Sequence, residues 1–249
     1  MLNITTQKKI FIQFFILIIL CYFTNNISIS QVTSIPIKTL SANFERGEIE
    51  KKRISKTEGT ICFASPNLLW IRVHYPISQY IKIDNDQMQI YYPNKKLLMN
   101  IKSETSISLS FLTPFIASLR SDYGLSDLNY QIKDYQIQSD TLRTEWHPPK
   151  ELKKELGITK IETVSNRIKN VTIIAPSKKS KTQQFFFDDY IMINNTFWYP
   201  QSVKIVKGAP EDSIIDKIRM ENISINAVLP DSITGFKIPD DVTIKEFKW

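Results

Sequence analysis

Residues 59–101 constrain the fold most, because apolar and polar residues alternate there in short runs separated by turn residues. Side chains two positions apart lie on the same face of a strand, so this alternation gives each run one apolar face. Pro, Asn and Asp residues in the intervals favour turn conformations. We therefore predict an antiparallel meander of five strands at 60–64, 69–73, 79–83, 87–92 and 97–101.

The second half of the chain contains further strand-like runs with short links, which favour antiparallel pairing. Twist accumulates from strand to strand, so a single sheet of about eleven to thirteen strands is expected to curl into an open half-barrel. The fold class is mainly β with few helices (α+β). The additional strands are predicted at 130–138, 141–146, 160–165, 167–174, 183–188, 197–206, 213–227 and 234–246.

Residues 39–54 allow two interpretations. They could form a helix followed by a strand, or one long edge strand that pairs with residues 59–64. The segment contains Gly47 and a dense cluster of charged residues, which on an edge strand would block pairing between molecules. A solvated edge strand is therefore the preferred prediction.

The apolar spacing changes to that of a helix after the meander. Leucines and an isoleucine recur at helical spacing and two phenylalanines widen the stripe, so the segment is expected to pack on the apolar face of the sheet. Pro114 fits the first turn of a helix that starts near Thr113 and ends by Gly124. The stripe consists of Leu109, Phe111, Leu112, Phe115, Ile116 and Leu119.

The first 30 residues have the pattern of a secretory signal peptide. Lys8 and Lys9 precede an apolar run of about 14 residues, which is shorter than the roughly 20 needed to span a bilayer. A small-x-small site then predicts cleavage after Ser30. A retained membrane anchor is the alternative, and lipidation of Cys21 is disfavoured because a bulky leucine precedes it.

Residues 31–249 then form one predicted domain. Loss of the two signal lysines lowers the net charge from +7 to +5, and the remaining lysines are scattered, so nucleic acid is not an expected partner. Cys62 becomes the only cysteine and is expected to be a buried small apolar residue.

No residue pattern of an enzyme or a metal site stands out. His74 and His147 are far apart in sequence and are expected at the surface or in turns. The paired carboxylates at 188–189 and 240–241 are expected where strands meet turns, with their members on opposite faces. No catalytic residue and no cofactor are therefore predicted.

Several short motifs follow one another in the meander and at the end of the chain: the run from Pro66 to Trp70, the Tyr75-Pro76 pair, the acidic turn at Asp84, the run at 90–93 and the ending at 236–244. In order and spacing, these motifs resemble the LolA family of periplasmic lipoprotein carriers. The resemblance implies a half-barrel covered by a helical lid and a monomer in the periplasm. Its implied partners are lipid or lipoprotein acyl chains, an inner-membrane ABC transporter that loads the carrier and an outer-membrane receptor that empties it.

The resemblance also indicates which residues would contact lipid. Ser65, Pro66 and Asn67 correspond to the motif that contacts the lid, although the family has an arginine at the position of Ser65. Serine has a single hydroxyl where arginine has five donors, so the family's latch is not reproduced. The predicted lipid-binding residues are Leu69, Ile71, Ile81, Ile83, Met88, Ile90, Phe111, Leu112, Phe115, Ile116 and Leu119.

Large rings at 185–187 and 197–199 fall on both faces of their strands. This surplus fits an internal cavity closed by a lid. It also fits a filled core, in which case the protein would be a structural, interaction or sensor module of the envelope. The sequence leaves both functions open.

Overall fold

The computed structural model describes residues 37–51, 53–64, 68–103, 113–177, 181–195, 197–208 and 213–248. The described residues belong to a compact unit that spans 34–249. Among them, no helix has the length and apolar composition needed to cross a membrane.

The described residues form one sheet of fourteen strands. The sheet is curved and its two edge strands do not pair with each other, so it remains open. The strands are β1 (Thr39–Glu50), β2 (Arg53–Ala64), β3 (Leu68–Tyr75), β4 (Gln79–Asp84), β5 (Gln87–Tyr92), β6 (Leu97–Lys102), β7 (Gln131–Gln138), β8 (Thr141–His147), β9 (Ile158–Val164), β10 (Arg167–Ile174), β11 (Gln183–Ile193), β12 (Phe197–Lys207), β13 (Ile214–Ile225) and β14 (Thr243–Lys248). Their order in the sheet is β14-β6-β5-β4-β3-β2-β1-β13-β12-β11-β10-β9-β8-β7.

The five predicted strands of the meander are confirmed as β2 to β6, paired in sequence and antiparallel. Asn85 and Lys96 take left-handed backbone conformations in the turns before β5 and β6. Asparagine tolerates this conformation well, so the acidic turn at 84–86 closes a tight hairpin.

β1 is not an edge strand, which corrects the prediction for residues 39–54. It pairs along its length with β2 on one side and with β13 on the other. Its charged side chains have partners across these pairings: Glu45 contacts Lys56 of β2, and Arg46 contacts Asp216 of β13. The charges therefore hold neighbouring strands together instead of marking a free edge.

The predicted strand at 234–246 is wrong over most of its length. Residues Asp231–Thr234 form a short helix, α2, and residues 235–242 are irregular. Gly235 and Pro239 interrupt the run, because glycine weakens a strand and proline cannot donate to a ladder. Only β14 follows, and it pairs with β6 in parallel, so the sheet is not entirely antiparallel.

The predicted helix at 113–124 is much shorter than expected. Helix α1 covers Thr113–Ala117, and turns and a 3₁₀ helix at Leu125–Leu128 complete the connection to β7. An ion-pair cluster stabilises the turns, since Arg120 binds both Asp122 and Asp127. With only two short helices among the described residues, the predicted helical lid is not confirmed.

One face of the sheet, called here the inner face, carries the apolar core. Its side chains come from β1 to β4, from β8 to β13 and from residues 113–130, which pack against it. Cys62 points to the opposite, outer face and is fully buried, as predicted. The outer face of β3 to β5 is covered in part by α2 and Phe236, whose ring stacks on Tyr80 at 3.7 Å between centroids.

Candidate functional site

The predicted lining residues of the meander share the inner face. The strand register places Leu69 opposite Ile83 and Ile71 opposite Ile81, and the same two rows continue onto β5. Because paired residues of adjacent strands point the same way, these side chains form one continuous apolar surface. It consists of Leu69, Ile71, Ile81, Ile83, Met88 and Ile90.

The exposure of this surface changes from the middle of the sheet towards its edge. Leu69, Ile71 and Ile83 are buried in the core. Ile81, Met88 and Ile90 are only half-buried, and so are Met99 and Ile101 on β6. The inner face of β4 to β6 is therefore an apolar surface that the described part of the chain covers incompletely.

The connection formed by residues 113–130 fills the other half of the inner face. Phe115 is fully buried and its ring stacks on Tyr199 of β12 at 6.1 Å between centroids. Tyr123 contacts Phe185 and Phe187 of β11. The predicted contact residues Ile116 and Leu119 are partly buried against the same core.

The remaining predicted site residues lie outside the described residues. These are the motif residues Ser65, Pro66 and Asn67 and the stripe residues Phe111 and Leu112. The residues that the structure brings together are therefore those of β3 to β5 and those of the connection at 115–119.

A polar cluster on the inner face was missed by the sequence analysis. Asp216 is only 4 % exposed and accepts a hydrogen bond of 2.8 Å from Nε of Arg46. Arg46 also binds Glu48, and Lys207 Nζ lies 3.8 Å from Asp216. Asp216 interrupts the apolar alternation of β13, and Arg46 stands where that of β1 ends. These two positions are the sequence signal from which the pair could have been predicted.

Two pockets open on the outer face. The larger, about 310 Å³, has mainly polar walls that include Glu58, Thr60, His74 and Arg219. The smaller, about 240 Å³, lies beneath residues 233–238 and has Trp70 and Tyr80 in its walls, to which Ile71 and Ile81 also contribute atoms. Met88 and Ile90 of β5 line neither pocket.

Both histidines lie in strands, not in turns. His74 is exposed near the end of β3, 3.3 Å from the Thr60 hydroxyl. His147 Nε2 lies 2.7 Å from a carboxylate oxygen of Glu145, which also binds Lys160. These contacts lower the pKa of Glu145, His147 foremost. Within the described ranges, no three His, Cys, Asp or Glu side chains are grouped to hold a metal ion.

The predicted position of one acidic pair is also corrected. Asp188 and Asp189 lie inside β11, which extends five residues beyond the predicted strand. Asp189 has a positive φ. The Asp188 carboxylate contacts Lys169 of the adjacent strand β10, and the Asp189 carboxylate contacts Arg219 of β13, two strands away. They act as ion-pair partners on the outer face, so they are not turn residues.

Buried hydroxyl and thiol groups stay protonated. Burial raises the pKa values of Tyr123, Tyr190 and Tyr199, and it raises that of the Cys62 thiol. A raised pKa disfavours the anionic forms that act as nucleophiles or bases. These groups contribute packing and hydrogen bonds; the Tyr190 hydroxyl, for example, donates to the Ile168 carbonyl.

Comparison with known proteins gives a consistent result for the fold. No family model matches the chain, and no curated protein matches it. A solved DUF1329 family protein from Desulfovibrio piger is 13% identical over 82% of this chain and 91% of its own, with a TM-score of 0.52. A LolA superfamily protein from Nitrosomonas europaea is 10% identical over 80% of this chain and 90% of its own, with a TM-score of 0.51. The resemblance to the LolA-like family is therefore confirmed at the level of the fold: the chain folds as LolA superfamily proteins do.

Proposed function

We propose that the protein is a carrier that binds acyl chains of lipids or lipoproteins on the inner face of its sheet. The observation that carries the proposal is the half-buried apolar surface of β4 to β6, which continues from the buried core and includes Ile81, Met88 and Ile90. Large apolar side chains gain stability from burial, so a surface of this kind favours an apolar ligand. Function would consist of binding and transfer, without covalent catalysis.

The energetic need for a carrier follows from the chemistry of lipids. Burial of an acyl chain contributes about 0.8 kcal/mol per methylene, so a chain of about sixteen carbons is held in a membrane by roughly 12 kcal/mol. A carrier must offer a comparable apolar surface and then release the ligand. By resemblance to the LolA family, an inner-membrane ABC transporter would load this protein and an outer-membrane receptor would unload it.

The proposed location is the periplasm, after cleavage of residues 1–30. The charged start, the short apolar run and the small-x-small site support it. Mass analysis of the N-terminus of native protein should find Gln31 first. An intact Met1 would refute cleavage.

A specific observation favours a second candidate, an envelope interaction or sensor module with a filled core. Phe115, Phe187 and Tyr199 are fully buried and fill the inner face of β11 and β12. In this half of the sheet the protein's own rings occupy the inner face. The two candidates differ in whether the β4 to β6 half accepts lipid.

The decisive experiment introduces a charge at Ile90, which is half-buried and lies on β5. Leu69 and Phe115 are less suitable positions, because a charge on such buried side chains would unfold the protein with or without a cavity. For a carrier, Ile90→Glu should weaken binding of a fluorescent fatty acid at least tenfold while the thermal melt stays cooperative. The matched control is Ile244→Glu on the outer face of the edge strand β14, which pairs with β6 and where the side chain is exposed.

The outcomes separate the two functions. Binding that is lost in Ile90→Glu and retained in Ile244→Glu supports the carrier. Wild-type protein that binds no fatty acid, and yields no lipid on organic extraction, supports the filled-core module. Equal binding by both variants would place the lipid elsewhere and refute the proposed site.

A further inference from the structure

The outer face of β10 to β12 carries a second apolar surface, on which Phe186, Met192 and Trp198 are exposed in part. Side chains of β11 and β12 alternate outward in cross-strand pairs, so they form one ladder about 20 Å long at roughly 3.3 Å per residue. The pairs are Phe186–Lys204, Asp188–Ser202, Tyr190–Pro200 and Met192–Trp198. We call this surface the outer ladder.

Three of its large apolar side chains are partly open to solvent. Phe186 is 38%, Met192 43% and Trp198 42% exposed. Single exposed apolar residues are normal on a protein surface, but three on two adjacent strands form a patch. Such patches mark places where another apolar surface docks.

Cations surround the rings of the outer ladder. The Arg167 guanidinium carbon lies 4.8 Å from the ring centroid of Trp198 and 5.9 Å from that of Tyr190. Lys169 Nζ lies 5.6 Å from the Tyr190 centroid, and Lys204 Nζ lies 5.6 Å from that of Phe186. The cationic groups thus lie close to the faces of these rings, where the ring electrons attract them.

The positive charge of the patch is only partly neutralised. Lys169 pairs with Asp188 at 3.4 Å, in an exposed position where such a pair contributes little. Arg167 forms no ion pair within the described residues, and its buried Nε has no hydrogen-bond partner there. Arg219, on the adjacent strand, is already matched by Asp189 and Glu221. The uncompensated cations therefore lie beside Trp198, Tyr190 and Phe186.

We propose that the outer ladder docks on the surface of a bilayer that contains anionic phospholipid. The exposed Trp198 ring is suited to the headgroup region, because a tryptophan ring has an apolar body and a polar N–H. Lysines and arginines near such a ring bind lipid phosphates through charge attraction. The inference concerns the opposite face from the proposed acyl-chain site and holds whether or not the inner face binds lipid.

A bilayer fits the outer ladder better than an acidic protein does. Protein interfaces concentrate their energy in a packed, desolvated centre. Here the apolar side chains are spaced along a ladder, and its three aromatic rings, Phe186, Tyr190 and Trp198, each have a cation nearby, as on surfaces that lie in the headgroup layer. The flexible methionine and the lysines also suit a fluid surface.

The test measures binding of the purified protein to vesicles of phosphatidylethanolamine mixed with anionic phosphatidylglycerol. Neutral phosphatidylcholine vesicles are the lipid control. Lys169→Gln/Lys204→Gln should lower the partition coefficient about 30-fold, because each lysine near an anionic surface accounts for roughly a fivefold effect. Lys153→Gln/Lys154→Gln changes net charge equally at exposed positions away from the outer ladder and should have a small effect.

Fluorescence gives an independent measurement of orientation. Trp198 is one of four tryptophans, so its emission is obtained as the difference between wild type and Trp198→Phe. On anionic vesicles this emission should shift to shorter wavelength as the ring enters the headgroup layer. Thermal melts of all variants should match wild type, because the substituted side chains are exposed.

Three results would overturn the proposal. The first is absence of binding to anionic vesicles at low salt. The second is an equal loss of binding in both double-lysine variants, which would indicate attraction by net charge alone. The third is full competition by polyglutamate with no shift of Trp198 emission, which would indicate an acidic protein partner.

Discussion

Truncation of Phe115 tests whether the connection at 113–130 is a fixed part of the core or a cover that opens. Its side chain is 0% exposed and stacks on Tyr199. Phe→Ala changes at such sites cost about 3–5 kcal/mol through lost transfer energy and the cavity left behind. The stacked pair accounts for about 1 kcal/mol of this sum. We therefore expect Phe115→Ala to lower the free energy of unfolding by about 4 kcal/mol.

The assay is urea denaturation followed by fluorescence, with the slope against urea compared between variants. Leu128→Ala is the control, since Leu128 lies on the same connection and is more than half exposed. It should cost less than about 1 kcal/mol.

A loss below about 1 kcal/mol for Phe115→Ala, with an unchanged slope, would refute the reasoning. It would mean that Phe115 leaves the inner face at little cost, as expected of a cover that opens. A loss near 4 kcal/mol means that this end of the connection stays packed and that any opening is confined to the β4 to β6 side.

Three further predictions concern single side chains. Asp216→Asn should lower the free energy of unfolding by about 1–3 kcal/mol in the same assay. The loss is smaller than for a fully buried ion pair, because Arg46 is one-third exposed and still binds Glu48. An unchanged urea midpoint would contradict this prediction. Cys62 should react with a thiol reagent only after denaturation, because the thiol is buried and its pKa is raised; stoichiometric labelling of native protein would contradict this. Burial raises the pKa of Asp122, but hydrogen bonds from Ser126, Gly124 and Arg120 lower it by more, so the net shift of this pKa is downward. The ionised Asp122 therefore stabilises the fold above its unfolded pKa of about 3.9, and this stabilisation is lost as pH falls through the folded pKa. Thermal melts between pH 5 and pH 2 should show a smaller acid destabilisation in Asp122→Asn than in wild type.

The meander was predictable because its determinants are local. Alternation identifies the strands, and residues such as Asn85 mark the tight turns between them. The register follows from short hairpins, so the rows from Leu69 to Met88 and from Ile71 to Ile90 could be predicted to share a face. Here local rules and the final fold agree.

The incorrect predictions concern segments whose structure is determined by contacts with residues far away in the sequence. The charges of β1 suggested an edge, but Arg46 finds Asp216 170 residues away, and no local pattern reveals such a partner. Likewise, the parallel pairing of β14 with β6 requires the chain to pass from β13 across the outer face. The extent to which the inner face is covered depends on where residues 113–130 pack, and this too is a long-range property.

The sheet order has a consequence for the order of folding. Strands β1 to β6 are adjacent in sequence, yet both edges of this six-stranded block are completed by the C-terminal part of the chain. β13 pairs with β1, and β14 pairs with β6. During synthesis from the N-terminus, the block therefore exposes two unpaired edges until residues 214–248 are made. Unpaired edges are templates for wrong pairing between molecules, so the nascent protein needs protection from aggregation over most of its synthesis, and deletion of the last strand alone would leave β6 permanently open.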